Sequence, residues 1–289
     1  MKVPFVDLAA GARPDRDAYI AAMTAVIDSG GFVGGAAVTD FEAAFARHVG
    51  VDHAIAVGTG TDALLLALRA MGVGAGDEVI TAANSFYATG EAIALAGATP
   101  VLADVDDATL LLDADDAARR VTKRTKVIIP VHLFGQVANM APVLALAGAH
   151  GLQVLEDSAQ AHGATRVGAD GSTWKAGAVG AAGAFSFYPT KNLGAFGEGG
   201  AITTSDAGIA ERVRVLRDHG QTARHHTSRS ATTRGSTRSA ARACRSASRG
   251  STSATLPDAR WRRRIASGSR RCRGCGWWPR PAGRRRSTT

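Results

Sequence analysis

Between residues 53 and 204, short apolar runs alternate with stretches of helical periodicity. His53–Val57, Glu78–Thr81, Thr99–Ala103, Lys126–Val131, Gln153–Glu156, Ala184–Phe187 and Ala201–Thr204 read as strands, apolar enough to be covered on both faces. The segments between them place apolar residues at helical spacing and predict helices over Asp62–Met71, Ala88–Ala96, Ala114–Arg120, Met140–His150 and Ala207–His219. Strands that alternate with helices predict an α/β fold: a mainly parallel seven-stranded sheet sandwiched by helices. Asp15–Ser29 and Asp40–His48 also read as helices, but they precede the first strand and are expected to form a separate layer. No internal repeat is visible.

The pattern stops near Arg224, and the charge changes with it. The 289-residue chain has a formal net charge of +9, but residues 1–223 hold 16 Lys and Arg against 24 Asp and Glu. Residues 224–289 hold the other 18 basic residues, all arginine, and a single acid, Asp258. This second segment lacks Val, Phe, Tyr and Met and is dominated by Ser, Thr, Arg, Ala and Gly. It has too little apolar surface to offset the entropy of ordering and is expected to be a disordered tail. Two readings account for it. Arginine density with Trp261, Trp277 and Trp278 suits a nucleic-acid-binding arm. Arginine without lysine, amid Ala, Gly, Ser, Thr, Pro and Trp, is also what a GC-rich gene yields when read out of frame, and this frame change is the favoured reading.

All three cysteines, Cys244, Cys272 and Cys275, lie in the tail. Cys272 and Cys275 form a C-x-x-C without the second pair or histidines that a zinc site requires, so no metal is expected. The start, MKVPFVDLAAG, lacks the apolar core of a signal peptide, and no apolar run approaches membrane-spanning length. A cytoplasmic protein is the expectation.

In an open α/β sheet, ligands bind beyond the carboxyl ends of the strands. There the chain carries GTGTDA (58–63), NSFYATGEA (84–92), HLFGQ (132–136), EDSAQAHG (156–163) and FSFYPTKNLGAFGEGG (185–200). The last places Lys191 in a tight loop between two strands, where it is either a plain loop lysine before a Gly-rich turn or, in low-dielectric surroundings, the free amine that attacks a carbonyl. The Gly58–Ala63 turn, opening a helix, is a phosphate cradle or a plain helix cap. Asp157, ending an apolar strand, would pair with a protonated ring nitrogen or cap a following helix. Phe86 would stack on a flat heterocycle or belong to the core. Ser186 could donate to a phosphate, and His132, Gln136, Gln160 and His162 are further polar residues at strand ends.

An aldehyde-binding lysine, a carboxylate for a pyridinium nitrogen, a phosphate cradle and a ring contact together suit pyridoxal 5′-phosphate (PLP). Their order along the chain resembles the large domain of fold-type I PLP-transferases. PFVDLAA, GTGTDALLLAL, SFYATGEAI, EDSAQAHGA and SFYPTKNLGAFGEGGAITT resemble the DegT/StrS-type sugar aminotransferases, continuously from about Pro4 to about Arg224. The resemblance implies a homodimer with shared sites, L-glutamate as amino donor and a nucleotide-linked keto-sugar as acceptor. It also implies that Lys191 binds the cofactor aldehyde, Asp157 holds the pyridine nitrogen and Phe86 covers the ring. Gln160 would lie near the ring, and Gly60, Thr61 and Ser186 would hold the phosphate. The SFYPTKNLGAFGEGG form is similar to enzymes that aminate dTDP-linked deoxysugars of antibiotic pathways, often at C3.

The resemblance ends where the tail begins. Family members continue with a Gly-Tyr-Asn-type segment that reaches the partner's cofactor phosphate, then a small C-terminal domain, and nothing after Arg224 resembles either. Two other readings stay open here. A dehydratase of the same fold carries histidine in place of the lysine, so Lys191 counts against it. A non-catalytic product, a truncated or regulatory relative whose arginines bind nucleic acid non-specifically, is compatible with the tail. Translating the coding DNA in its other two frames beyond codon 224 is expected to reveal a globular continuation. The frame-change reading fails if neither frame does.

Overall fold

The computed structural model describes residues 6–168, 171–221 and, as backbone alone, 222–223 and 226–227. Apart from that last pair, the Arg-rich segment 224–289, with its cysteines and tryptophans, lies outside the described residues. The chain opens with helices α1 (Leu8–Ala12), α2 (Arg16–Ser29) and α3 (Gly35–Val49). It continues through β1 (His53–Val57), α4 (Gly60–Ala70), β2 (Glu78–Ala82), α5 (Tyr87–Ala96), β3 (Thr99–Ala103), α6 (Ala114–Arg119) and β4 (Thr125–Ile129). Then follow α7 (Met140–His150), β5 (Gln153–Asp157), a hairpin of β6 (Thr165–Val167) and β7 (Thr173–Lys175), β8 (Ala182–Ser186) and β9 (Gly200–Thr204). Helix α8 (Ala207–Arg217) and a short pair, β10 (Gln221–Ala223) and β11 (His226–Thr227), close the described part.

The seven long strands form one sheet in the order β1-β9-β8-β5-β4-β2-β3. The pairs β8/β5, β5/β4, β4/β2 and β2/β3 are parallel, and β9 runs antiparallel to both β8 and β1. The sheet is therefore mainly parallel, with its reversal confined to one end. Side chains alternate between its faces, as the pleat requires. Ile55, Val79, Val127, Ile129, Leu155, Ala182, Ala184 and Ile202 pack with α4, α5 and α8. Ile80, Ile128 and Val154 face the other way, toward α6 and α7. Beside them on that face, Phe41 and Phe45 of α3 pack on Ala54, Phe185, Phe187 and Ala201. Both faces are thus covered, which is why the strands read as continuous apolar runs.

Two expectations about the elements change. Helix α3 is not a separate layer: its phenylalanines build one of the core clusters, with Phe45 edge-on to Phe185 at 4.9 Å between ring centres. It also begins earlier than Asp40, because Gly34 and Gly35 at positive φ make a start that sidechain capping signals do not mark. Helix α2, by contrast, contributes no buried residue. The hairpin of β6 and β7 was not expected, since three-residue strands are too short for a periodicity to register. Among the described residues, no helix is long and apolar enough to cross a membrane.

One close approach governs the middle of the sheet. A Cβ on Gly183 of β8 would lie 2.5 Å from Gly177 Cα and 2.7 Å from Thr203 Oγ1, closer than real side chains come. The turn around Gly177 therefore packs directly on the strand. Gly183→Ala is expected to destabilise the fold by about 1–3 kcal/mol, measured by chemical denaturation. Gly74→Ala, which meets nothing within 4 Å, is the control and should leave stability nearly unchanged.

Candidate active site

The strand ends and the loops beyond them enclose a cavity of about 540 Å³. Gly60, Thr61, Phe86, Asp157, Gln160, Ser186 and Lys191 all line it. His132, Gln136 and His162 do not. Several residues that the sequence did not single out join the lining, among them Ser85, Thr89, Tyr188 and Glu198.

The floor is the carboxyl end of β5. Glu156 and Asp157 are both buried there and, as strand neighbours, point to opposite faces. Glu156 is held by His132 Nε2 at 2.8 Å and by the backbone N–H groups of Gly177 (3.0 Å), Val179 and Gly180 (both 2.7 Å). Ala138 N–H donates to His132 Nδ1 at 3.1 Å, which leaves the ring proton on Nε2 to donate to Glu156. The backbone N–H of His132 donates to the Asp157 carbonyl at 3.0 Å, and that of Asp157 donates to the Pro130 carbonyl at 2.9 Å. His132 is thus part of the scaffold that fixes Asp157, not of the cavity wall.

Asp157 faces the cavity. Thr89 Oγ1 donates to its Oδ2 at 2.8 Å, and Ser85 Oγ lies 2.6 Å from Thr89 Oγ1. Ala159 N–H donates to Oδ1 at 3.2 Å. No helix follows Asp157, so it is not a helix cap. Burial raises its pKa above the ordinary 3.8, against the lowering effects of Thr89, Ala159, His132 and Lys191. A buried carboxylate of this kind is matched to a cationic group entering the cavity. Thr89 is the functional residue hardest to find from sequence. It sits 68 positions from its partner, in an apolar helix, and although the SFYATGEAI segment contains it, nothing local ties it to Asp157.

The small-residue end of the cavity is the start of α4. Thr59 caps the helix, its Oγ1 accepting from Asp62 N–H at 2.9 Å. The helix start is pressed onto the sheet: a Cβ on Gly60 would lie 2.6 Å from Ser186 Cβ, and one on Gly200 would lie 2.2 Å from the Thr59 carbonyl. Only glycine fits either position, so both exist for this approach. Ser186 Oγ accepts from Tyr188 N–H at 3.3 Å, which leaves its O–H available to the cavity. Free N–H groups, a helix dipole and hydroxyls at Thr61 and Ser186 make an anion cradle. Two carboxylates stand behind it. Asp62 has a raised pKa, chiefly through burial and with a smaller contribution from Glu198.

Lys191 is half-buried in the loop between β8 and β9. Its backbone N–H donates to the Tyr188 carbonyl at 2.8 Å, and Ala195 N–H donates to the Phe187 carbonyl at 2.7 Å, closing the loop at its base. Phe86 is 70% exposed at the rim, so it is not a core residue. Phe134, 81% exposed with φ of 54°, stands nearby, its N–H held at 2.7 Å by Gln160 Oε1. Gln136 turns away and donates to the Thr109 carbonyl at 3.0 Å.

The cavity thus offers an amine, a buried carboxylate, an anion cradle and exposed aromatic rings. Comparison with known proteins identifies the family to which the chain is similar. The sequence profile of the DegT/DnrJ/EryC1/StrS aminotransferase family matches residues 14–240. The dTDP-3-amino-3,4,6-trideoxy-alpha-D-glucose transaminase of Streptomyces venezuelae is 44% identical over 219 residues, 76% of this chain and 56% of that protein. Among solved structures, DesV of S. venezuelae in complex with a ketimine intermediate superposes with a TM-score of 0.74 at 43% identity. That match covers 78% of this chain and 59% of DesV. NtdA from Bacillus subtilis, solved with the bound cofactor PMP, superposes with a TM-score of 0.72 at 27% identity, over 88% and 56% of the two chains. The chain therefore spans a little over half the length of the relatives it matches.

The raised pKa of Asp157 sets a pH dependence for the cofactor-free chain. The native state holds the proton more readily than the unfolded state, so the contribution of Asp157 to stability is present below its ordinary 3.8 and is lost as pH rises through its raised native value. Asp157→Asn stays neutral and escapes this loss. Its melting temperature relative to the parent chain is expected to climb over the interval in which pH rises above the ordinary 3.8. A difference that stays flat or falls over that interval would contradict the assignment.

Proposed function

Because the chain belongs to the DegT/DnrJ/EryC1/StrS aminotransferase family, we propose that its body, residues 1–223, is the large domain of a PLP-dependent enzyme that aminates a nucleotide-linked keto-deoxysugar. The family and its neighbours, one of them solved with PMP, imply pyridoxal 5′-phosphate as the cofactor. The similarity to a dTDP-3-amino-3,4,6-trideoxy-alpha-D-glucose transaminase supports a dTDP-linked substrate aminated at C3; L-glutamate as the donor, and a place in antibiotic or cell-surface sugar biosynthesis, are further parts of the proposal. The observation that carries the reading is that Lys191, buried Asp157 and the Gly60 cradle face one cavity.

The residues present fit the cofactor. A buried carboxylate meets the need of a protonated ring nitrogen, and a glycine that admits no Cβ opens the helix start to a phosphate. When bound, the cofactor supplies an aldehyde and an electron-accepting ring. Lys191 would attach through Nζ, yield its place to the amine of the donor, and then take and return the proton at the reacting carbon. Asp157 would keep the proton on the ring nitrogen, with Thr89 fixing its orientation. Gly60, Thr61 and Ser186 would hold the phosphate, Phe86 would cover one ring face and Gln160 would lie alongside. The second half of the reaction returns the amine to the keto-sugar by the same groups in reverse order.

A homodimer is part of this proposal. Phe86, Tyr87 and Phe134 are exposed at or beside the cavity mouth, and helix α2 carries exposed Ile20 and Ile27. These are surfaces that a second subunit would cover.

Incubation with PLP, borohydride reduction and peptide mass spectrometry is expected to place a pyridoxyl group on Lys191. Lys191→Ala is expected to lose both the adduct and transamination, by roughly 10³-fold or more. An adduct on another lysine, or turnover by the alanine variant, would remove the basis of the proposal.

A further inference from the structure

Besides the backbone bonds at its base, the Lys191 loop has a side-chain tie near its apex. Asn192, the next residue, forms a reciprocal pair with His162. Its Oδ1 lies 2.8 Å from His162 Nδ1, and its Nδ2 donates to the His162 carbonyl at 3.1 Å. The second bond orients the amide and so assigns the first. Oδ1 faces the ring, and Nδ1 carries the proton that it accepts. The two residues are 30 positions apart, so the pair joins separate segments of the cavity wall.

The imidazole is set in the aromatic core, 5.3 Å from the Phe185 ring centre and 5.4 Å from that of Phe187. Its own segment begins at Asp157, and Asp157 is fixed by the His132–Glu156 scaffold. The segment from 157 to 162 therefore carries the cavity carboxylate at one end and the anchor of the lysine loop at the other. Burial pushes the His162 ring down to about 4, with Lys191 and His48 adding to the effect, while Asn192 and the Ser186 carbonyl oppose it. The ring is neutral at physiological pH and can hold the loop without placing a charge of its own beside Lys191.

We propose that His162 and Asn192 are positioning residues, a neutral two-point clamp that sets where Lys191 stands relative to Asp157. The clamp's two side-chain bonds reach the lysine loop, while Gly60 packs the cradle on Ser186 and Thr89 of α5 holds the carboxylate. The inference rests on the reading of Lys191 as the aldehyde-binding amine.

The test compares the full chain with Asn192→Ala, Asn192→Asp and His162→Phe. Two ligands separate the effects. PLP reports Lys191 through the borohydride-trapped adduct, and pyridoxamine 5′-phosphate, which has no aldehyde, reports the cradle and Asp157 alone. Asn192→Ala and His162→Phe are expected to slow trapping at Lys191 by about tenfold or more while changing the affinity for pyridoxamine phosphate by less than about threefold, as loss of orientation without loss of binding. Asn192→Asp keeps the acceptor for Nδ1–H and should recover part of the rate. Nitrogen-15 spectra of the cofactor-free parent chain should show His162 as the Nδ1–H tautomer, a signature that Asn192→Ala removes. Equal trapping by all four chains overturns the clamp, as does a parallel loss of amine affinity and melting temperature in the variants, which would make the pair merely structural. A parent chain that binds the amine but traps no aldehyde at Lys191 overturns the functional reading, and the clamp falls with it.

Discussion

Moving a carboxylate out of water costs several kcal/mol unless hydrogen bonds and opposite charge replace the solvent, and this chain buries two in succession at the end of β5. The pleat sends Glu156 and Asp157 to opposite faces, so each must be satisfied separately. Glu156 is saturated by one imidazole and three backbone amides, from a turn that Gly183 allows to sit against the sheet. Asp157 receives only Thr89 and Ala159 and is left with the cavity on its open side. One carboxylate is spent on structure so that the other is held still. The direction of its pKa follows from that arrangement: burial dominates, and the nearby donors do not fully offset it.

Around this floor the rest of the cavity depends on close backbone approach. Gly60 against Ser186 and Gly200 against Thr59 bring the start of α4 within reach of β8 and β9, where any Cβ would force the elements apart. Gly194 does the same inside the lysine loop, since a Cβ there would lie 2.5 Å from the Pro189 carbonyl. The glycines of this region therefore have a shared task, which is to let an anion cradle, an amine and a carboxylate surround a space of about 540 Å³. The aromatic residues at its rim remain exposed, and the chain covers a little over half the length of its relatives. The inner half of the site is built from this chain's own sheet, and the rim is where the second subunit of the proposed homodimer would lie.

Much of this was legible in the sequence, for a physical reason. A strand covered on both faces must be apolar throughout, so the seven strands of the sheet stood out as runs, and parallel strands force helices between them. The residues that follow strand ends in such a sheet face the ligand side, so position put Gly60, Thr61, Phe86, Asp157, Gln160, Ser186 and Lys191 among the candidates, but His132, Gln136 and His162 with them, and it was the family resemblance that separated the two sets. The abrupt end of the periodicity near Arg224 was legible as well, because composition needs no fold to be read.

What only the tertiary structure decided is who meets whom. Asp157 and His132 were both polar residues at strand ends, yet one lines the cavity and the other is buried behind it holding Glu156. Thr89 orients Asp157 across 68 residues, and Asn192 grips His162 across 30. Periodicity reports which face of an element is apolar, and motifs report what lies a few residues away. Hydrogen bonds between distant segments follow from strand order and from how closely glycines let backbones approach. The sequence alone therefore determined the elements, their apolar faces and the candidate chemistry, while the packing decided which carboxylate stays open to the cavity and what holds the lysine in place.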